Sequence, residues 1–205
     1  MMVHWHKAGE WSLVLNGSCR IQAVNENGET FIEDVTEGDV WFFFPSVSHY
    51  ACLDDGTFSE DNTFLASEIL SHNPPAHKVA GGTVKIVDSV TFPIATNFAA
   101  VVVTHSSSKW HWLGCGKWAT LFEASDTATT FDYRAGDVGY FPMSQTHYIE
   151  NTGHQDLVFL EGLQADKFTD ISVGQWLGST PKPIVKDTLN LPNSALAKLK
   201  SEKQY

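Results

Sequence analysis

His4-Trp5-His6-Lys7-Ala8-Gly9-Glu10, followed after six intervening residues by Gly17, is the stretch that decides how this chain is read. His4 and His6 are separated by one residue, so on a strand their side chains share a face. Glu10 lies on the same even-numbered face if the strand runs on. A third histidine, His49, closes a segment that begins Gly38-Asp39-Val40-Trp41-Phe42-Phe43-Phe44-Pro45. Three neutral imidazoles and one carboxylate suit Mn, Fe, Zn, Cu or Ni, with positions left over for a bidentate substrate or dioxygen. An isolated His-x-His pair is more often a surface feature. It is the added Glu10, Gly17 and His49 that point to a metal.

The His49 segment recurs. Gly136-Asp137-Val138-Gly139-Tyr140-Phe141-Pro142 leads to His147, and the Gly-to-His distance is 11 in both. Phe64 to Pro74 (FLASEILSHNP) is echoed by Phe168 to Pro181 (FTDISVGQWLGSTP). Two copies of one unit therefore lie roughly 100 residues apart, the mark of an internal duplication. The expected division is an N-terminal copy over residues 1–78 and a C-terminal copy over 79–205. Asn73-Pro74-Pro75 and Gly81-Gly82 mark the linker, and a Lys-rich helical tail follows Asn193.

Both copies read as short strands with frequent turns, which implies an all-β sandwich or barrel. Expected strands are Trp11 to Leu15, Ser18 to Val24, Thr30 to Ile32 and Val40 to Phe44 in the first copy. In the second they are Ala99 to Thr104, Trp118 to Phe122, Phe131 to Tyr133, Val138 to Phe141 and Leu157 to Leu160. Asn16-Gly17 and Asn27-Gly28 are hairpin signals. Helix is expected only at Thr63 to Leu70, Ile171 to Leu177 and Ser194 to Lys200.

Composition narrows the function. The 205 residues are 42% apolar and 18% charged, a globular balance. Thirteen Lys and Arg against 24 Asp and Glu give a net charge of −11, which argues against nucleic acid and anionic membrane surfaces as partners. Three scattered cysteines make no disulfide framework. Met1 to Glu10 holds His, Lys and Trp where a secretory leader would be apolar, so no signal peptide is legible and localisation stays open. His72, His77 and His154 sit in polar stretches and are expected to face solvent, while Trp5 and Trp11 are expected to flank the His4–His6 pocket. No P-loop, dinucleotide fingerprint or nucleophile elbow is present.

These motifs resemble the cupin superfamily, and more closely its two-cupin oxalate decarboxylases. His4 to Gly17 matches the first cupin motif, and Gly136, Pro142, His147 and Asn151 match the second. Wider matches run through His4 to Trp11, Asp54 to Glu60, Lys85 to Ser89 and Thr130 to Tyr140. Pro45 stands one place off the pattern, although the Gly38-to-His49 distance is kept. The resemblance implies two tandem cupin barrels (double-stranded β-helix, or jelly-roll), either of which can be incomplete. It implies Mn(II) on His4, His6, Glu10 and His49, oxalate as substrate, formate and CO2 as products, and dioxygen as co-catalyst. Ser59-Glu60-Asp61-Asn62-Thr63 resembles the family's active-site lid, which gives Glu60 the part of proton donor.

The departures shape the expectation equally. In the family an arginine that orients the substrate stands where this chain has Met1, and the barrel strands ahead of it are absent. The first copy reaches Phe64 from His49 in 15 residues, whereas the second takes 21 from His147 to Phe168, so the first is short of a strand. In the second copy Lys109 stands where the carboxylate should recur, leaving His111 and His147 as a weaker second metal site. A barrel short of a strand exposes an edge, so a homo-oligomer is a further expectation. Oxalate oxidase, yielding CO2 and hydrogen peroxide, is the rival enzyme; a cupin that binds or assembles without catalysis is the rival outside enzymes.

Overall fold

The computed structural model describes residues 3–52, 70–71, 73–79, 81–106 and 117–202. Among the described residues thirteen strands come first: β1 (Glu10–Leu13), β2 (Ser18–Val24), β3 (Thr30–Thr36), β4 (Val40–Phe43), β5 (Ser48–Cys52), β6 (Leu70–Ser71), β7 (Ala76–Val79), β8 (Gly82–Val87), β9 (Ala99–His105), β10 (Lys117–Phe122), β11 (Ala128–Tyr133), β12 (His147–Asn151) and β13 (Leu157–Leu163). Three short helices follow: α1 (Val173–Ser179), α2 (Lys182–Leu189) and α3 (Asn193–Leu196). The expected all-β class therefore holds.

The chain groups into two compact units. One comprises residues 1–76, 85–101 and 162–204; the other comprises 77–84 and 102–161, with residue 205. Compactness thus draws a different line from the motif repeat, because residues beyond the expected linker pack with the first copy's strands.

In the first unit β2 pairs with β3 and β5, giving the order β3-β2-β5, while β4 lies between β1 and β6. A core forms between these two sheets. Ile21 and Ala23 of β2 and Phe31 and Val35 of β3 meet Trp41 and Phe43 of β4, with Val47 beside them. Alternation along β2 explains the burial: Ile21 and Ala23 are fully buried on one face, while Arg20 and Asp34 pair across the other. A second cluster joins Val40 to Val87, Phe92 and Ala100, with Trp11 packed against Phe42, Phe92 and Phe98. In the second unit β10 lies between β11 and β12. A fourth sheet has the order β13-β9-β8-β7.

Three expectations need correction. Asn16-Gly17 is not a hairpin, because β1 and β2 enter different sheets. Val14 N–H donates to the Asp39 carbonyl at 3.1 Å and Gly38 N–H to the Val14 carbonyl at 2.9 Å, so the chain leaving β1 stays tied to the turn before β4. By contrast, Asn27-Gly28 does join the antiparallel pair β2–β3. Gly82 opens a strand instead of a linker, and a Cβ there would lie 1.8 Å from the Thr104 carbonyl oxygen. Val138 to Phe141 is not a strand; among the described residues it has neither of the flanking partners that β4 has.

The third expected helix is short, and α2 was not expected. Lys182-Pro183 reads as a breaker, yet proline is tolerated in a first helical turn, where its N–H would have no partner. Ser172 caps α1 by accepting the Gln175 N–H at 3.1 Å. The expected helix at 63–70 lies outside the described residues except for Leu70, which belongs to β6. His77 and His154 are exposed as expected, and His72 is outside the described residues.

Candidate metal centre

Glu10 is the first residue of β1 and sits opposite Phe43 of β4. His49 is the second residue of β5, opposite Ala23. His4 reaches His49 by an isolated antiparallel bridge, with His4 N–H donating to the His49 carbonyl at 3.1 Å and the reverse bond at 2.9 Å. Ser46 N–H donates to the His6 carbonyl at 2.8 Å. Backbone pairing thus brings the opening segment against β5 before any metal is considered.

The expected continuous strand from His4 to Glu10 does not exist. The chain bends at Lys7 and Ala8, and β1 starts only at Glu10. On a straight strand, residues four apart are separated by about 13 Å, too far to share one ion. The bend brings His6 Nε2 to 2.8 Å from Glu10 Oε2. Gly9 permits the close approach of Phe42, whose ring would lie 2.5 Å from any Cβ placed there.

The result is one group of four. Donor atoms of His4, His6, Glu10 and His49 all lie within 4.8 Å of one another, and among the described residues no other set of three or more such side chains is gathered. A single first-row ion with bonds of about 2.1 Å spans that spread after a small contraction. The rings of His4 and His49 stand 4.6 Å apart, and those of His4 and His6 4.9 Å.

His49 is held most firmly. It is 1% exposed, and Phe43 stacks on its ring at 4.1 Å between centroids. Its Nδ1 lies 2.8 Å from the Val47 carbonyl oxygen. A carbonyl only accepts, so Nδ1 carries the hydrogen. Nε2 then turns a lone pair toward Glu10 Oε2, 3.2 Å away. Two electron-rich atoms at that distance repel unless a proton or a cation lies between them, so the donor set fits a divalent cation. The other carboxylate oxygen, Oε1, accepts a hydrogen bond from Ser12 Oγ at 3.0 Å.

The described residues show the other predicted positions as follows. His147 opens β12, exposed, with Nδ1 3.0 Å from the Gln145 carbonyl oxygen. His111 and Glu60 lie outside the described residues. Trp11 is packed among Phe42, Phe92 and Phe98, and Trp5 is exposed. Sequence reading passed over Phe43, Val47 and Ser12. Ser12 alone was legible, because two residues beyond Glu10 on a strand shares its face; Phe43 and Val47 needed the pairing register.

Comparison with known proteins agrees with this geometry. Residues 1–57 match the Cupin family model. Oxalate decarboxylase OxdC of Bacillus subtilis is 30% identical to this chain, over 98% of it and 73% of the relative. The chain belongs to the oxalate decarboxylase family of two-cupin proteins. A probable oxalate decarboxylase of Arthroderma benhamiae is 28% identical over 99% of the chain and 71% of its own length. Among solved structures, the Bacillus subtilis oxalate decarboxylase studied for its Mn(II) centres has a TM-score of 0.79 at 27% identity, covering 98% of this chain and 75% of that one. The same protein solved at pH 4.6 has a TM-score of 0.80 at 28% identity, covering 98% and 74%. The alignment with OxdC spans 282 positions while this oxalate decarboxylase relative has 205 residues, so OxdC carries internal stretches that the chain lacks.

Proposed function

We propose that this chain is a manganese-dependent carbon–carbon lyase that converts oxalate to formate and CO2, with His4, His6, Glu10 and His49 holding Mn(II) and dioxygen as co-catalyst. The observation that carries the reading is the convergence of four donors from two distant stretches. The match to oxalate decarboxylases supports it. When bound, the ion supplies Lewis-acid and electron-relay chemistry at a substrate carboxylate. Three neutral imidazoles and one carboxylate leave a net positive charge on a dication, so an anionic substrate is favoured there even in a chain of net charge −11.

The reaction balances without an external oxidant. The C–C bond of hydrogen oxalate breaks, CO2 leaves, and the remaining carboxyl carbon gains a proton to give formate. Glu60 is proposed as the acid that delivers it, a role resting on the Ser59 to Thr63 resemblance. His111 and His147 are proposed as a weaker second site. The division into copies at 1–78 and 79–205 belongs to the same reading.

The deciding experiment is elemental analysis of purified protein together with product analysis on oxalate. Bound Mn with formate release supports the proposal. Peroxide release in place of formate makes the protein an oxidase, and absence of bound metal makes it a non-catalytic cupin. A Glu60→Ala change is expected to abolish formate while leaving Mn in place; loss of Mn as well would make Glu60 structural.

A further inference from the structure

Glu10 offers two oxygens, and the structure treats them differently. Oε2 faces both histidines, 2.8 Å from His6 Nε2 and 3.2 Å from His49 Nε2. Oε1 turns away from them and accepts the Ser12 hydroxyl at 3.0 Å. Glu10 and Ser12 occupy alternate positions of β1, opposite Phe43 and Trp41 of β4, so both side chains leave the same face of a paired strand. The β1–β4 register therefore fixes the Ser12 hydroxyl beside the carboxylate. Both residues are half-buried, which limits competition from water for that hydrogen bond.

A free carboxylate can bind a cation through one oxygen or both, and can rotate between the two modes. A hydroxyl hydrogen on Oε1 withdraws that oxygen's electron density and holds the carboxyl plane. From this we infer that Ser12 is a positioning residue that makes Glu10 a one-oxygen ligand through Oε2. The consequence concerns specificity as well as affinity. A one-oxygen carboxylate leaves one more coordination position for a bidentate anion than a two-oxygen carboxylate does.

The inference rests on the metal reading above, and its test separates the two. Mn(II) binding to the metal-free full-length chain is measured by titration calorimetry, and the bound ion by electron paramagnetic resonance, for the wild type, Ser12→Ala and Ser12→Thr. Outer hydrogen-bond partners of metal ligands commonly contribute 10- to 100-fold in affinity, so Ser12→Ala is expected to bind Mn(II) about 10-fold more weakly. Its resonance spectrum is expected to change, while Ser12→Thr, which keeps the hydroxyl, restores both. A wild type that binds no Mn(II) overturns the metal reading and this inference together. A wild type that binds, with a Ser12→Ala variant of unchanged affinity and spectrum, overturns this inference alone. So does a Ser12→Thr variant that behaves like Ser12→Ala while circular dichroism shows all three proteins folded.

Discussion

The two copies of the motif are built on one backbone plan and end in different states. Residues of the first recur in the second at an offset of 98, down to strand register. Ala23 pairs with His49, and Leu121 with His147; Arg20 pairs with Asp34, and Trp118 with Asp132. The turn before each histidine is repeated too. Asp39 Oδ2 accepts the Thr36 N–H and Asp137 Oδ2 the Arg134 N–H, both at 2.8 Å. Gly38 and Gly136 have φ of 92° and 94°, and Ser46 and Ser144 have 66° and 64°. Each histidine turns Nδ1 to the carbonyl two residues back, at 2.8 Å for His49 and 3.0 Å for His147.

Beyond that plan the copies part. His49 is 1% exposed and meets three other donors, whereas His147 is exposed. Val40 is 3% exposed, but its counterpart Val138 is 94% exposed. The difference teaches what the turn can and cannot do. It aims a histidine and fixes its tautomer. Burial, and with it a rigid site, comes from the strands on either side of β4: β1, which carries Glu10, and β6. In the second copy, positions 138–141 have no such partners among the described residues.

The comparison can be broken most sharply at the histidines. His49→Ala is expected to bring Mn per chain close to zero, while His147→Ala, at the weaker site that dialysis empties, leaves it unchanged, as read by elemental analysis after dialysis. Equal losses would place a working site in each copy. Next come the rings packed on them. Phe43→Ala removes a fully buried ring that stacks on His49 and is expected to cost about 3–4 kcal/mol of unfolding free energy. Phe141→Ala, on a half-buried ring, is expected to cost about 1 kcal/mol. Urea denaturation measures both.

The valine pair sharpens the same point at smaller scale. Val40→Ala is expected to cost about 2 kcal/mol, and Val138→Ala no more than about 0.5 kcal/mol in either direction. A large cost at Val138 would mean that something covers that face in solution.

The smallest effect lies at Arg20 and Asp34. Hydrogen bonds from the guanidinium at 2.7 and 2.9 Å, helped by its charge, hold the Asp34 carboxyl below the usual carboxylate range. Because the folded value is depressed, the stabilisation is fully present above the ordinary carboxylate pKa and is lost as pH falls through the folded value. The pair is largely solvent-exposed on the aspartate side, so Arg20→Ala is expected to cost only about 0.5 kcal/mol at pH 7, shrinking below about pH 4 and at high salt. Trp118→Ala, at the matching position beside Asp132, is expected to show no such acid-dependent part.

The sequence alone determined the duplication, the all-β class and the four donors, because spacing carries them. A Gly-to-His interval of 11 and a His-x-His followed by glutamate survive as patterns without any knowledge of pairing. Ser18 to Val24 was legible to the residue, since alternation and a following Asn-Gly turn are local signals. Only the tertiary structure decided which strands pair. That choice moved Asn16-Gly17 from a hairpin to a crossing between sheets, and it left Val138 to Phe141 without partners among the described residues. It also replaced a straight His4-to-Glu10 strand by a bend that closes the donors on one another. The physical reason is common to all three. Strand hydrogen bonds are made between distant segments, so whether a stretch becomes a strand, and what its side chains face, depends on a partner that its own residues do not specify.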